Sequence, residues 1–156
     1  MKILSDSQVK SDLRSTTIFK TFKSEDAQQQ IRLPYVWKTG LILNPDALIQ
    51  AWYEKNDAYM AIIKDWKSEL PYEKSSMITL KDYAEFSAQL VLKRAGKGLQ
   101  YEVWVENDKV KIMYLITFFE HTDSFSQIIF CTRADYYDSQ KSEFQRYFKT
   151  YREIEI

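Results

Sequence analysis

The chain has 156 residues, with 22 Lys plus Arg against 22 Asp plus Glu, 15% aromatic residues, one Cys and one His. That length suits one domain hiding roughly 70% of its unfolded surface, so no disulfide or metal is needed to hold it together. Balanced charge gives no field to concentrate nucleic acid or an anionic membrane, and the longest apolar run, Ala58 to Ile63, falls far short of the ~20 residues of a membrane span.

Residues 1–16 form a polar N-terminal segment in which Ile3 and Leu4 give way at once to Ser5, Asp6 and Ser7, without the apolar core of a signal peptide. Two expectations follow. The protein is cytoplasmic if Met1 is the native start; it is periplasmic or lipid-anchored outside the cytoplasm if a leader has been removed, with this segment as its tether. No repeat or linker divides residues 17–156, which read as a single domain. Thr17 to Phe22 and Gln30 to Leu33 are strand candidates joined by the polar Ser24 to Gln28 turn, and Pro34 ends the second. Tyr35, Val36 and Trp37 follow as an apolar plug.

Asp46 to Lys55 and Ala58 to Lys67 flank Asn56 and Asp57, residue types that tolerate the positive φ of a tight hairpin. Thr79 to Ala95 carries a helix signature: Thr79 as cap with Asp82 three residues later, Ile78 and Tyr83 as a hydrophobic staple, and Gly96 as the stop. Leu99 to Glu106 and Lys109 to His121 then flank a second Asn-Asp turn at Asn107 and Asp108. Phe125 to Thr132 returns after Thr122 and Asp123, which makes a three-stranded meander. From Lys109 to His121 both faces of the period-2 pattern are largely apolar, so that strand is expected to be covered on both sides. A last helix from about Asp138 to Tyr151 carries Tyr137, Phe144, Phe148 and Tyr151 at helical spacing. The aromatic richness reads as core packing.

This order of elements, together with Leu33-Pro34-Tyr35-Val36-Trp37 after the second strand, Thr79-Leu80 and Tyr83 opening a helix, Thr132 ending the meander and Phe144 in the closing helix, resembles the PsbP-like superfamily. That superfamily includes the bacterial DcrB-like branch and is related to the Ran-binding Mog-type fold. The resemblance spans roughly residues 17–152. The chain departs from the pattern by closing on Thr150-Tyr151 and by keeping only Gly96 and Gly98 where the family has a glycine-rich joint. What the resemblance implies is an α+β fold, an antiparallel β-sheet flanked by helices in an α/β/α sandwich, and a protein that works by binding.

Catalytic chemistry finds little support. His121 is the sole histidine, which excludes multi-histidine metal sites, and a Ser124, His121, Asp123 cluster confined to one turn does not converge on a substrate. Glu102, Glu106 and Asp108 read as solvated edge charges, Glu25 and Asp26 as a turn, and Glu153 and Glu155 as a tail. Gly96-Lys97-Gly98 is a helix cap rather than a phosphate loop, with Lys93, Arg94 and Lys97 complementing the helix dipole. Cys131, inside an apolar strand, reads as buried and inert. No catalytic, cofactor or metal site is expected. All four tryptophans read first as packing residues; if a partner or ligand groove exists, Tyr35, Trp37 and Trp52 line it, because a loop aromatic beside a hairpin can shape a cleft. The expected function is a non-catalytic binding or assembly accessory protein acting on another protein. Behind it stand a cytosolic chaperone or immunity-type adaptor for a secreted effector and, least favoured, a small carboxylate-dependent hydrolase.

Overall fold

Alternating side chains put β8, Ser124–Arg133, at the heart of the molecule: Ile128 and Phe130 point to one face and Phe125 and Ile129 to the other. In the computed structural model, which describes residues 18–69, 93–97 and 100–154, β8 lies between β4, Ala58–Trp66, and β7, Val110–Glu120. β3, Ile49–Tyr53, extends this sheet beyond β4, and β6, Gln100–Asn107, and β5, Lys93–Lys97, extend it beyond β7. The result is a six-stranded antiparallel sheet in the order β3-β4-β8-β7-β6-β5. A second, three-stranded sheet has β2, Gln29–Pro34, between β1, Phe19–Lys23, and β9, Arg152–Glu153. One helix, α1, Ala134–Phe148, is present among the described residues, and the fold class is α+β.

The small sheet and α1 cover one face of the large sheet. Phe22, Ile31 and Leu33 from the first, Tyr137, Phe144, Tyr147 and Phe148 from the second, and Met60, Ile62, Leu115, Ile128 and Phe130 from the floor form one buried cluster. Phe130 is its centre, with Phe144 stacked on it at 4.8 Å, Phe148 edge-on at 5.0 Å, Tyr147 at 5.8 Å and Trp37 edge-on at 6.0 Å between ring centroids. Each such pair adds about 0.5–1.5 kcal/mol beyond the area it buries. On the opposite face Tyr101, Val103, Ile116, Phe118 and Phe125 form a second buried cluster. β7 and β8 are therefore covered on both sides, as their two-sided apolar pattern predicts.

The turns obey local stereochemistry. A 3₁₀ turn over Glu54–Asn56 leads to Asp57 in the left-handed region at φ 48°, and the Asn56 carbonyl accepts from Thr132 Oγ1 at 2.7 Å. The second hairpin turns one residue later than its Asn-Asp signal: Asn107 pairs with Val110 inside the ladder, and Asp108 and Lys109 take positive φ of 48° and 69°. Two consecutive positive φ values are the type I′ geometry, whose twist matches that of the flanking strands.

Three expectations are corrected. Lys93 to Ala95 do not end a helix but pair with Trp104, Val103 and Glu102, and Gly96 sits in the same strand opposite Tyr101. The remainder of that predicted helix, from Thr79, lies outside the described residues. The final helix begins at Ala134, without a side-chain cap, and stops at Phe148, so Tyr151 packs from the following connection. Glu153 is no tail residue: it pairs with Gln29 in β9, a segment that carries no apolar signal.

Lys109 carries a left-handed backbone with a β-carbon present, a conformation that glycine adopts freely. Lys109→Gly is expected to raise stability by about 0.5–1 kcal/mol, measured as an increased urea midpoint at unchanged slope.

Candidate functional site

Leu33, Pro34 and Trp37 are buried while Tyr35 and Val36 are exposed, because a tight turn closes between them: the Trp37 amide donates to the Pro34 carbonyl at 3.1 Å. Proline presets the backbone for such a turn. It throws Tyr35 and Val36 outward and folds Trp37 into the core, where the indole stacks on Tyr53 at 5.9 Å and meets Tyr147 edge-on at 6.2 Å. Lys38 then forms a one-residue bridge with Trp52, each amide donating to the other's carbonyl at 2.8 and 2.9 Å.

Beyond Gly40, at φ +104°, the chain exposes Leu41, Ile42 and Leu43 in succession, and Leu48 follows. This connection is built rather than slack. Gln50 Oε1 accepts from the Leu43 and Asn44 amides at 2.9 and 3.1 Å and from the Tyr59 hydroxyl at 2.9 Å, while Gln50 Nε2 donates to the Asn44 carbonyl at 3.1 Å. Asn44 Oδ1 in turn accepts from the Asp46 amide at 2.9 Å. Of the eleven large apolar side chains exposed among the described residues, six (Tyr35, Val36, Leu41, Ile42, Leu43 and Leu48) belong to this fourteen-residue connection. A seventh, Ile18, is joined to it through the bond from the Tyr35 amide to the Ile18 carbonyl, 2.9 Å.

The three residues singled out in the sequence converge on this connection without lining one groove. Tyr35 is 60% exposed, Trp37 only 4%. Strand alternation sets half-buried Trp52 on the face of the large sheet opposite Tyr53 and Trp37, and its backbone holds Lys38. Surface, root and brace are their respective positions. Leu41, Ile42 and Leu43 went unnoticed in the sequence, although three adjacent apolar residues after a glycine and outside any strand pattern are a readable signal.

A polar cluster sits where the two sheets meet. His121 Nδ1 lies against Glu153 Oε2, while His121 Nε2 is 3.0 Å from Ser126 Oγ and 3.2 Å from the Tyr151 hydroxyl. Glu153 Oε1 accepts from Lys64 Nζ at 2.9 Å, and Tyr151 donates to the Gln29 side-chain carbonyl. The sequence-level grouping of His121 with Ser124 and Asp123 is thus replaced by residues from three other segments. The order carboxylate, imidazole, hydroxyl is that of a nucleophile relay. Yet Ser126 has no exposed surface and is covered by Tyr151, so no substrate carbonyl reaches it. Burial drives the Tyr151 hydroxyl up to about 12, which keeps it a neutral hydrogen-bond partner. No group of three or more metal-binding side chains occurs among the described residues, and no described helix is long and apolar enough to cross a membrane.

The fold has counterparts among solved structures. The cyanobacterial PsbP of Synechocystis sp. PCC 6803 superposes with a TM-score of 0.56 at 11% identity, covering 86% of this chain and 92% of its own. The Ran-binding protein Mog1p of Saccharomyces cerevisiae does so at 0.52 and 10%, covering 90% and 97%. The chain has the PsbP and Mog1 fold. A point mutant of Mog1 agrees at a TM-score of 0.50 and 11% identity, over 88% and 97% of the two chains. No family model and no curated protein matches the sequence. At such identities the PsbP-type fold is shared without its residues, so the surface of this chain has to be read from its own side chains.

Within the PsbP-type sheet Cys131 pairs with Tyr59 and Tyr114 on neighbouring strands, and burial pushes its thiol up to about 12. The nucleophilic thiolate is therefore scarce at neutral pH. Iodoacetamide at about pH 8, below the raised thiol range, is expected to leave the folded protein unmodified and to alkylate Cys131 within minutes in concentrated urea, as intact-mass spectrometry will read.

Proposed function

We propose that this chain is a non-catalytic binding or assembly accessory protein whose contact surface is the connection from Tyr35 to Leu48. The observation that carries the reading is the concentration there of six exposed large apolar side chains on a backbone fixed at both ends, by buried Trp37 and by the four hydrogen bonds of Gln50. An exposed apolar surface costs solubility unless something covers it, and concentrations of this kind mark interaction sites. Fixing the backbone in advance removes ordering entropy from the cost of association. In this reading Tyr35 belongs to the contact surface, and Trp37 and Trp52 hold it in place.

The partner is a protein rather than a nucleic acid, since the chain carries no net charge and its exposed patch is aliphatic and aromatic. The name of one structural counterpart, a Ran-binding protein, describes a protein partner of that molecule and is compatible with the same mode of action here. A DcrB-like extracytoplasmic lipoprotein and a cytosolic adaptor are the two finer forms of the proposal. Catalysis is disfavoured by the inaccessibility of Ser126, the serine hydroxyl beside the imidazole.

Affinity purification from the native cell is expected to recover a stoichiometric protein partner. Ile42→Asp should weaken its binding by at least about 30-fold, the effect of losing a central apolar anchor, at unchanged thermal stability. Trp66→Ala, at an exposed aromatic outside the connection, should leave binding intact. Equal binding by Ile42→Asp, or an enzymatic turnover abolished by a single carboxylate substitution, would overturn the reading.

A further inference from the structure

β9 is only two residues long, yet it caps the edge of β2 through Gln29 and Gln30, and the Ile154 amide continues the pairing onto the Gln28 carbonyl. So short a strand does not hold by its ladder alone. What fastens it is Glu153, whose side chain is only 12% exposed and meets Lys64 from β4 with one oxygen and His121 with the other. Farther along β2, the Thr150 hydroxyl accepts from the Arg32 amide at 2.9 Å and donates to the Arg32 carbonyl at 3.2 Å. The C-terminal segment thus shields the backbone of β2 from pairing with anything else.

What favours a charged ring at His121 is its direct contact with a carboxylate that is largely shielded from water. Nδ1 faces a carboxylate, which only accepts. Nε2 faces the Tyr151 oxygen, whose own proton is directed at the Gln29 carbonyl oxygen, and Ser126 Oγ. On the Nε2 side a hydroxyl such as Ser126 can donate to a neutral ring or accept from a charged one, so it is the carboxylate at Nδ1 that sets the preference. Among the groups facing the ring are Glu153 from β9, Tyr151 from the connection after α1 and Ser126 from β8. Lys64 from β4 shares the carboxylate, and Glu120, the preceding residue, is occupied by Lys67 at 2.6 Å. Lys64 disfavours an imidazolium, but it acts across the carboxylate, whereas Glu153 is in direct contact; the nearer opposite charge prevails.

We propose that His121 is a pH-sensitive clasp which, as an imidazolium, ties Glu153 and with it β9 to the large sheet, and which loosens its hold on the edge of β2 when the ring loses its proton. The sign follows from linkage. A histidine that gains a carboxylate partner on folding contributes stability that is present at mildly acidic pH and lost as pH rises.

The test uses the whole chain and its only histidine. The amide of Ile154 reports β9 directly, and its hydrogen-exchange protection, corrected for intrinsic exchange, is expected to fall about tenfold between about pH 6 and about pH 8, the equivalent of one unit of linkage. The fall should vanish in His121→Gln and in Glu153→Gln, and in the wild type it should follow the ring-nitrogen resonances of His121. Protection that is flat or rising with pH in the wild type, or that falls equally in His121→Gln, would sink the proposal. If Glu153→Gln fails to fold, the wild type and His121→Gln decide alone.

Discussion

Phe130 is the contact on which the rest of the structure depends. It stands on the central strand and receives side chains from three separate directions: Phe144, Tyr147 and Phe148 from α1, Trp37 from the connection after β2, and the aliphatic floor of the large sheet. The small sheet, the helix and the large sheet are each too thin to bury a core alone; they share one around this ring. Close packing makes that arrangement stiff, so a segment anchored in it inherits a fixed position.

Both candidate functional features are consequences of this anchoring. The Tyr35 to Leu48 connection can afford exposed apolar residues because Trp37 and Gln50 prevent them from folding back into the core. At the other end of the same layer, Tyr151 packs against Phe119 at 4.8 Å and thereby carries the chain into β9, beside His121 and Lys64. The polar junction lies where the aromatic contacts stop. Its charges are only partly exposed and mutually paired, an arrangement that specifies one geometry more than it adds stability.

Much of the architecture was legible because period and turn chemistry agree: the two-sided apolar run of β7, the hairpin at Asp57 and the aromatic face of α1 all follow from local rules. The Leu33-Pro34-Tyr35-Val36-Trp37 stretch was legible only in part: Leu33, Pro34 and Trp37 are buried, whereas Tyr35 and Val36, expected in an apolar plug, are turned outward by the tight turn. What escaped has physical reasons. β9 is two polar residues with no period to detect, and its partners come from β2, far away in sequence. Lys93 to Lys97 has the composition of a basic helix end, and only its pairing with β6 makes it a strand. The His121, Ser126 and Glu153 cluster joins one turn and two strands, so no spacing along the chain could reveal it.

The central claim is that the exposed connection is anchored on the Phe130 ring through Trp37. A double-mutant cycle between Trp37→Leu and Phe130→Leu, read by urea unfolding, tests it most directly. The predicted coupling is about 1 kcal/mol, the worth of an edge-on aromatic pair in a shared core. Effects that add to within about 0.3 kcal/mol, as independent sites do, would contradict the account.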